Sequence, residues 1–194
     1  MGPPVAQSSS STVCTTGIAV PWAMLPTQPK FPEAMTSGLT LSMFANDPAW
    51  KERAGQVARL AKDVSEVMLE VGLTNVTARP LTVAYHSACS MQHGQKVIEQ
   101  PKKLLADAGF VVKDVPEGHL CCGWAGTYQV LQPELSRRLR DRKVANIESV
   151  RPDVIASGNF GCVGNIAQGT GIPVVHTVEL LDWATGGPKP AALP

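Results

Sequence analysis

The sequence lacks a long apolar segment. No stretch reaches the ~18 to 20 continuous apolar residues of a membrane-spanning helix, and the first residues have neither the positive start nor the apolar run of a secretory signal. We therefore expect a cytoplasmic protein. Thiols stay reduced in that compartment, so cysteines there serve metal binding or redox chemistry more often than disulfide bonds.

The sequence also lacks a strong net charge. Its 194 residues have a formal net charge of +1 at pH 7, and apolar residues make up 44%. These values indicate a folded domain of ordinary size and exclude the strongly basic surface that holds nucleic acid. The short basic run 137–143 is interpreted as the solvent-facing side of a helix, because acidic residues and a helical pattern surround it.

No Cys-x-x-Cys pair occurs among the five cysteines. Structural zinc sites commonly use such pairs, and the odd count argues against a fully paired disulfide framework. Instead, Cys121 and Cys122 are adjacent, and Gly123 follows them. Neighbouring ligands strain the chelate around one zinc ion, whereas the irons of an iron–sulfur cluster are far enough apart to use both thiolates.

The N-terminal segment, residues 1–45, differs from the rest of the chain. It contains "SSSST", six prolines and apolar residues without a period, and Cys14 stands alone in it. We expect this segment to be poorly ordered. The alternative is an irregular arm that docks through Trp22, Leu25 and Phe31. The main domain is expected over 46–185, followed by a frayed tail over 186–194.

Residues 46–185 show a pattern of alternating helices and strands. Apolar residues three and four apart in "NDPAWKERAGQVARLAKDVSEVMLEVG" predict one amphipathic helix that ends at Gly72. Strands are predicted in "LTVAYH", "FVVKDV", "DVIASG" and "IPVVHTV", and helices in "GQKVIEQPKKLLADAG", "QPELSRRLRDRKVANIESV" and "ELLDWA". This order predicts an α/β domain with a small, largely parallel sheet flanked by helices.

Four cysteines follow the predicted strands. Cys89 lies in the loop after the first strand, Cys121 and Cys122 after the second, and Cys162 after the third. The carboxyl ends of parallel strands form the ligand crevice of such sheets, so the four sulfurs should meet at one edge. Gly123 would let the backbone pass close to a cluster there, and N–H groups of the turn would donate to the sulfurs.

Other interpretations of these residues remain open. A catalytic cysteine would use His119 or His86 as its base, and a structural zinc ion would take Cys and His ligands. Cys89 and Cys162 would otherwise each be a small, buried apolar residue. A catalytic cysteine leaves the other three unexplained, and adjacent ligands strain the chelate around one zinc ion, so an iron–sulfur site is the leading interpretation from the residues alone.

Several segments resemble the cysteine-rich, or CCG, domain, namely "AYHSACSMQHGQ", "DVPEGHLCCGWAGTY" and "GNFGCVGNIAQGTGIPVVHTVELLDWA". That domain occurs in heterodisulfide reductase, in anaerobic glycerol-3-phosphate dehydrogenase and in lactate-utilisation iron–sulfur proteins. The sequence is most similar to the glycolate oxidase iron–sulfur subunit, and the resemblance covers residues 46–184.

The resemblance implies an electron-transfer subunit with no catalytic residue of its own. In the family, an FAD-containing partner oxidises glycolate to glyoxylate and electrons pass through the iron–sulfur subunit towards quinone, which implies a peripheral position on the inner face of the membrane. The family's cluster ligands, expected to hold [4Fe-4S], carry over to Cys89, Cys121, Cys122 and Cys162. The alternatives are a related lactate or glycerol-3-phosphate oxidation subunit, or a zinc-binding or degenerate interaction domain.

Smaller expectations concern the surroundings of these ligands. His86 and His119 are expected to tune the cluster through hydrogen bonds, and Gly126 to shape the loop that carries Gly123. A full CCG unit ends in Cys-x-x-Cys, but Asn165 stands three residues after Cys162, a loss that the glycolate oxidase branch shares. The ferredoxin-like region and the first CCG unit of a complete subunit are missing, so we expect a truncated, C-terminal unit.

Overall fold

Four short parallel strands form the centre of the fold, as a computed structural model of the protein describes it for residue 44 and residues 46–194. The predictions for Cys14 and for the order of the N-terminal segment lie outside the described residues. The helices and strands are, in chain order, α1 Lys51–Leu60, α2 Val64–Val71, β1 Thr82–His86, a π-helical turn Ser90–Gln95, α3 Gln100–Asp107, β2 Val111–Asp114, α4 Tyr128–Leu131, α5 Pro133–Ser149, β3 Val154–Ser157, α6 Phe160–Ala167, β4 Val174–His176 and α7 Thr177–Ala184. The predicted α/β class with a parallel sheet is confirmed.

The strands lie in the order β2-β1-β3-β4. The register pairs Thr82 with Val111 and, on the other side of β1, His86 with Ser157. The chain therefore moves outward from β1 to β2 and then returns past β1 to β3. That reversal creates a topological switch point between the carboxyl ends of β1 and β3, where open parallel sheets form their ligand crevice.

The two faces of the sheet have separate cores, because successive side chains of a strand point to opposite faces. We call the first the apolar face. Its buried residues are Met68, Val83, Tyr85, Leu104, Leu105, Ala108, Phe110, Val154, Ala156, Val175, Leu180, Leu181 and Ala184. We call the second the site face, and it includes Ala84, Ala88, Met91, Val97, Val115, Cys122, Val144, Ile147, Ile155, Cys162, Ile166 and Val174. Helices α2, α3 and α7 cover the first, whereas α5 and α6 cover the second.

The prediction of one continuous helix before Gly72 is wrong. The chain leaves helical geometry after Leu60, and a new helix begins with Asp63 as its N-cap. The Asp63 side chain accepts a hydrogen bond from the Ser65 N–H at 2.9 Å, and Glu66 accepts one from the Asp63 N–H at 2.8 Å. This capping box satisfies the free donors of a helix start and so favours a restart over continuation. The predicted end at Gly72 is confirmed.

The remaining helix ends agree with the sequence signals. Pro101 and Pro133 lie in the first turns of α3 and α5, where a missing N–H costs nothing. Gly109 follows α3 with a φ of +86°, and a Cβ there would lie 2.8 Å from the Ala78 Cα. Only glycine suits that turn. In the C-terminal tail, Leu193 packs against the apolar face and Pro190 is buried.

Candidate metal centre

The structure places the four predicted cysteines at the carboxyl edge of the sheet. Cys89 follows β1 and directly precedes the π-helical turn, and Cys121 and Cys122 lie in the loop between β2 and α4. Cys162 lies in the first turn of α6, not in a loop as predicted, because Asn159 caps this helix immediately after β3. All four thiols are free; Cys89 is exposed, whereas Cys122 and Cys162 are buried.

The thiols lie in a continuous series. Side-chain hydrogen bonds link Cys89 to Cys121, Cys121 to Cys122, and Cys122 to Cys162. A ring nitrogen of His86 lies within 4.8 Å of the sulfurs of Cys122 and Cys162, which are equally close to each other. Three chain segments thus bring four sulfurs and one imidazole together at the switch point.

The surroundings of Cys89, Cys121 and Cys122 raise the pKa of each thiol and so favour the protonated form. Burial, followed by Cys121, raises the pKa of Cys89. The hydrogen bond to Cys122, followed by burial, raises the pKa of Cys121. For Cys122 the hydrogen bond with Cys121 lowers the pKa, but the bond with Cys162 and burial outweigh it and raise the pKa to about 11. A metal that binds here must therefore displace protons, since thiolates are the ligands.

Helix α5 holds the cysteine loop, residues 115–127, from one side. The Ser136 hydroxyl donates to the Gly123 carbonyl oxygen at 2.8 Å, and the Lys143 ammonium donates to the Glu117 carbonyl oxygen at 2.8 Å. Ser136 and Lys143 are seven residues apart and so lie on the same face of the helix. One helical face thereby fixes both ends of the segment that contains the cysteine pair.

Other elements hold the middle of the same loop. Asn165 on α6 donates from its side-chain amide to the Cys122 carbonyl oxygen at 2.7 Å, and Gln92 on the π-helical turn donates to the Gly118 carbonyl oxygen at 3.2 Å. Two N–H groups of the loop donate to sulfur: that of Gly123 to the Cys121 sulfur at 3.3 Å, and that of Trp124 to the Cys122 sulfur. Such N–H donors stabilise negative charge on sulfur.

Gly123 also makes a contact that the sequence did not predict. Its φ is +93°, and a Cβ there would lie 2.3 Å from the Ser136 carbonyl oxygen. The glycine is required because the loop backbone passes against α5, and the clash of any side chain would be with the helix. Gly126 also has a positive φ, of +60°, but open space surrounds its Cα, so it only shapes the turn.

Asn165 occupies the position where a full CCG unit has its last cysteine. The residue is 3% exposed, and its amide hydrogen bond to Cys122 keeps that cysteine in place. A thiol at this position would be too weak a donor to replace the amide. The sequence showed that this cysteine is missing. It did not show the hydrogen bond of Asn165, because that bond joins residues 43 positions apart.

The two histidines expected near the site differ in burial. His86 is 2% exposed, and its Nε2 is buried without a hydrogen-bond partner in the described part of the chain. Burial, followed by the nearby Lys143 charge, lowers the pKa of His86 to about 3, so the ring is neutral. His119 is exposed, and its contribution is a backbone carbonyl that lies 3.4 Å from the His93 ring.

Lys143 is a residue whose role the sequence interpretation missed. The basic run 137–143 was expected to face solvent, and Arg137 and Arg138 do so, but Lys143 is fully buried. The position of Lys143 seven residues after Ser136 was the available signal, because it places both residues on one helical face. Lys143 and His86 also border an open pocket at the ends of β1 and β2.

These residues suit a group of several metal ions bridged by sulfur. Four thiols in series span more space than a single ion needs, and both backbone N–H donors and a buried cation are available to balance thiolate charge. The unpartnered Nε2 of His86 provides one more polar atom at the site.

No helix in the described part of the chain is long and apolar enough to cross a membrane.

The fold and the thiols define a parallel α/β domain with a cysteine-rich centre at its switch point. Residues 83–167 match the family described as CCG, cysteine-rich domain. The match includes all four cysteines of the site. The family resemblance drawn from the sequence is therefore confirmed.

Curated relatives of the chain are iron–sulfur and lactate-utilisation proteins. The chain is 38% identical over 143 residues to the glycolate oxidase iron-sulfur subunit of Escherichia coli, which covers 73% of this chain and 35% of that protein. It is 32% identical over 148 residues to lactate utilization protein A of Macrococcus caseolyticus, an alignment that covers 72% of this chain and 60% of that protein. It is 30% identical over 148 residues to lactate utilization protein A of Bacillus subtilis, an alignment that covers 72% of this chain and 62% of that protein. The chain thus spans between a third and two thirds of these relatives.

Proposed function

We propose that this chain holds an iron–sulfur cluster and transfers electrons within a complex that oxidises a small 2-hydroxy acid. The proposed ligands are Cys89, Cys121, Cys122 and Cys162, and the expected cluster type is [4Fe-4S]. The observation that carries the proposal is the series of four thiols from three segments, closed by loop N–H donors to sulfur. When bound, the cluster would accept and release one electron at a time.

The chemistry of the complex is proposed from the names of the relatives. One relative is a glycolate oxidase subunit and others act in lactate utilisation, and glycolate and lactate are both 2-hydroxy acids. Oxidation of glycolate to glyoxylate releases two electrons and two protons, which an FAD-containing partner subunit would accept. The electrons would then pass singly through this chain towards quinone, in the cytoplasm or at the inner face of the membrane.

A zinc site is the second candidate, because one specific observation favours it. His86, Cys122 and Cys162 offer three ligand atoms that all lie within 4.8 Å of one another, a group compact enough to close around a single ion. Zinc accepts mixed Cys and His ligands. Under this alternative Cys89 and Cys121 would be dispensable for metal binding.

The two candidates are separated by metal analysis of anaerobically purified protein. The cluster predicts iron and acid-labile sulfide in equal amounts, a brown colour and an EPR signal after reduction. Colourless protein with one zinc per chain would refute it. Cys121→Ser is the informative variant, since it should abolish iron binding in the first case and leave zinc binding unchanged in the second.

The electron-transfer role is tested with the partner present. The FAD-containing subunit that acts with this chain is isolated by pull-down, and glycolate or lactate is added anaerobically while the cluster is followed by EPR. Reduction that requires both the acid and the flavoprotein supports the proposal. A cluster that stays oxidised with both acids, while dithionite reduces it, would contradict the proposed substrate class.

A further inference from the structure

Lys143 is buried beside the cysteine centre without a carboxylate partner. The side chain is fully buried, and its ammonium donates one hydrogen bond, to the Glu117 carbonyl oxygen at 2.8 Å. The Glu117 carboxylate is engaged elsewhere, by the Arg142 guanidinium and by the Asn146 amide at 2.7 Å. A buried ammonium that makes no direct ion pair is costly, so further negative charge is expected near it.

The cysteine site adds negative charge near Lys143, next to that of the Glu117 carboxylate. The electrostatic partners of the ammonium include the thiols of Cys121, Cys122 and Cys162, in addition to Glu117. His86 lies close to two of these sulfurs and also interacts with the Lys143 charge. Lys143 and His86 also line the same pocket beside the cysteine loop.

The hydrogen bond to Glu117 does not by itself explain a lysine. Other carbonyls of the same loop are held by neutral donors, namely the Ser136 hydroxyl, the Asn165 amide and the Gln92 amide. A neutral amide would serve equally well for the Glu117 carbonyl and would avoid the cost of burying a charge. The charge itself is thus the property that distinguishes this residue.

We propose that Lys143 is the buried counter-charge of the thiolate site and raises the reduction potential of the cluster held there. The inference rests on the proposed function. Each reduction adds one electron, and so one negative charge, to a site that already carries four thiolates. A fixed positive charge on this buried side chain stabilises the reduced state more than the oxidised state. Lys143 is a positioning residue that acts through this field, not a ligand.

The test uses three variants of the iron-loaded protein. Lys143→Gln removes the charge and retains an amide donor, Lys143→Arg retains the charge, and Arg138→Gln removes an exposed cation from the same helix. Iron per chain is measured first, and an EPR-monitored redox titration with dithionite and mediators then gives the midpoint potential. Lys143→Met, of similar length and neutral, serves as a second charge-removing variant if the glutamine variant folds poorly.

We expect Lys143→Gln to lower the ratio of reduced to oxidised cluster about tenfold at the wild-type midpoint, which is a shift of about 59 mV to more negative potential for one electron. Lys143→Arg and Arg138→Gln should remain close to wild type. The shift should persist in about 1 M salt, because buried charges are poorly screened. Loss of iron in both neutral variants, with retention in Lys143→Arg, would equally support the counter-charge.

Two results would overturn the inference while the proposed function stands. The first is an unchanged midpoint in Lys143→Gln with full iron content. The second is an equal shift, or equal loss of iron, in Lys143→Arg, which would mean that the shape of the lysine matters and its charge does not. Wild-type protein without iron would instead refute the proposed function, and this inference with it.

Discussion

The two faces of the sheet differ in what they bury. The apolar face is built from large aliphatic side chains on α3 and α7, such as Leu104, Leu105 and Leu180. The site face, on the same strands, buries Cys122, Cys162 and the Lys143 ammonium. The first set can only pack, whereas each member of the second set offers a polar or metal-binding atom.

The difference indicates a division of tasks between stability and chemistry. Burial of a leucine contributes to folding in any environment, whereas burial of thiols and an ammonium costs free energy unless something binds or balances them. The site face therefore depends on side-chain donors from α5, α6 and the π-helical turn to hold its loop. Substitutions on the two faces should consequently affect different measurements.

The largest expected effect is on metal binding. Cys122→Ser removes a buried thiol of the series, so iron content should fall to background while the free energy of unfolding of the metal-free protein falls by about 1 to 3 kcal/mol, the cost of a buried hydroxyl. Cys14→Ser, which changes a cysteine outside the proposed ligand set, is the matched control and should retain iron. Iron analysis and urea unfolding provide the two measurements; full iron in Cys122→Ser would contradict the ligand assignment.

Leu105→Ala should have the opposite profile on the apolar face. Leu105 is fully buried, and its truncation should lower the free energy of unfolding by about 2 to 5 kcal/mol through lost burial and a cavity. Iron bound per folded chain should stay at the wild-type value. If Leu105→Ala loses iron at a temperature where circular dichroism shows it fully folded, the two faces are not independent.

Gly123→Ala should disturb the contact between the cysteine loop and α5. The added Cβ would lie 2.3 Å from a backbone oxygen that cannot rotate away, and the φ of +93° is unfavourable for alanine. Together these should cost on the order of 2 to 4 kcal/mol. Gly126→Ala, which meets open space, should cost about 1 kcal/mol from its φ alone. Equal losses in thermal or urea unfolding would show that the clash with Ser136 is unimportant.

The smallest expected effect concerns acid stability at the loop. Hydrogen bonds from Arg142, and then from Asn146, lower the pKa of Glu117 from 4.5 to about 2. A depressed carboxyl pKa contributes stability above about pH 4.5 that is lost as the pH falls towards 2. Glu117→Gln should therefore be less stable than wild type at pH 7, with a difference that shrinks on acidification. Arg142→Gln should reproduce this convergence; parallel curves would contradict the pairing.

Much of the architecture could be predicted because its signals are local. Apolar runs identified the strands, Gly72 and Gly109 marked helix ends, and Pro133 marked a helix start. The break before Asp63 was also encoded locally, by Asp63 and Glu66 three residues apart. It was missed because the apolar period continues across it, although most of that stripe, including Val57 and Leu60, is exposed.

The candidate site could be predicted only in part. Placement of Cys89, Cys121, Cys122 and Cys162 after strands was enough to expect their convergence, since parallel strands end at one edge. The partners of these residues were not predictable in the same way, because they are distant in sequence. The contacts of Gly123 with Ser136 and of Cys122 with Asn165 join residues 13 and 43 positions apart.

The sequence by itself determined the kinds of element, their order and the residue types available for chemistry, because periodicity, glycine and proline act within a few neighbouring residues. The tertiary structure alone decided the strand order β2-β1-β3-β4, the face on which each helix packs and the burial of Lys143. These features depend on which elements, distant in sequence, pack against each other and exclude water. From the helical sequence alone, Lys143 is expected to be exposed; it is buried because the cysteine loop packs over it.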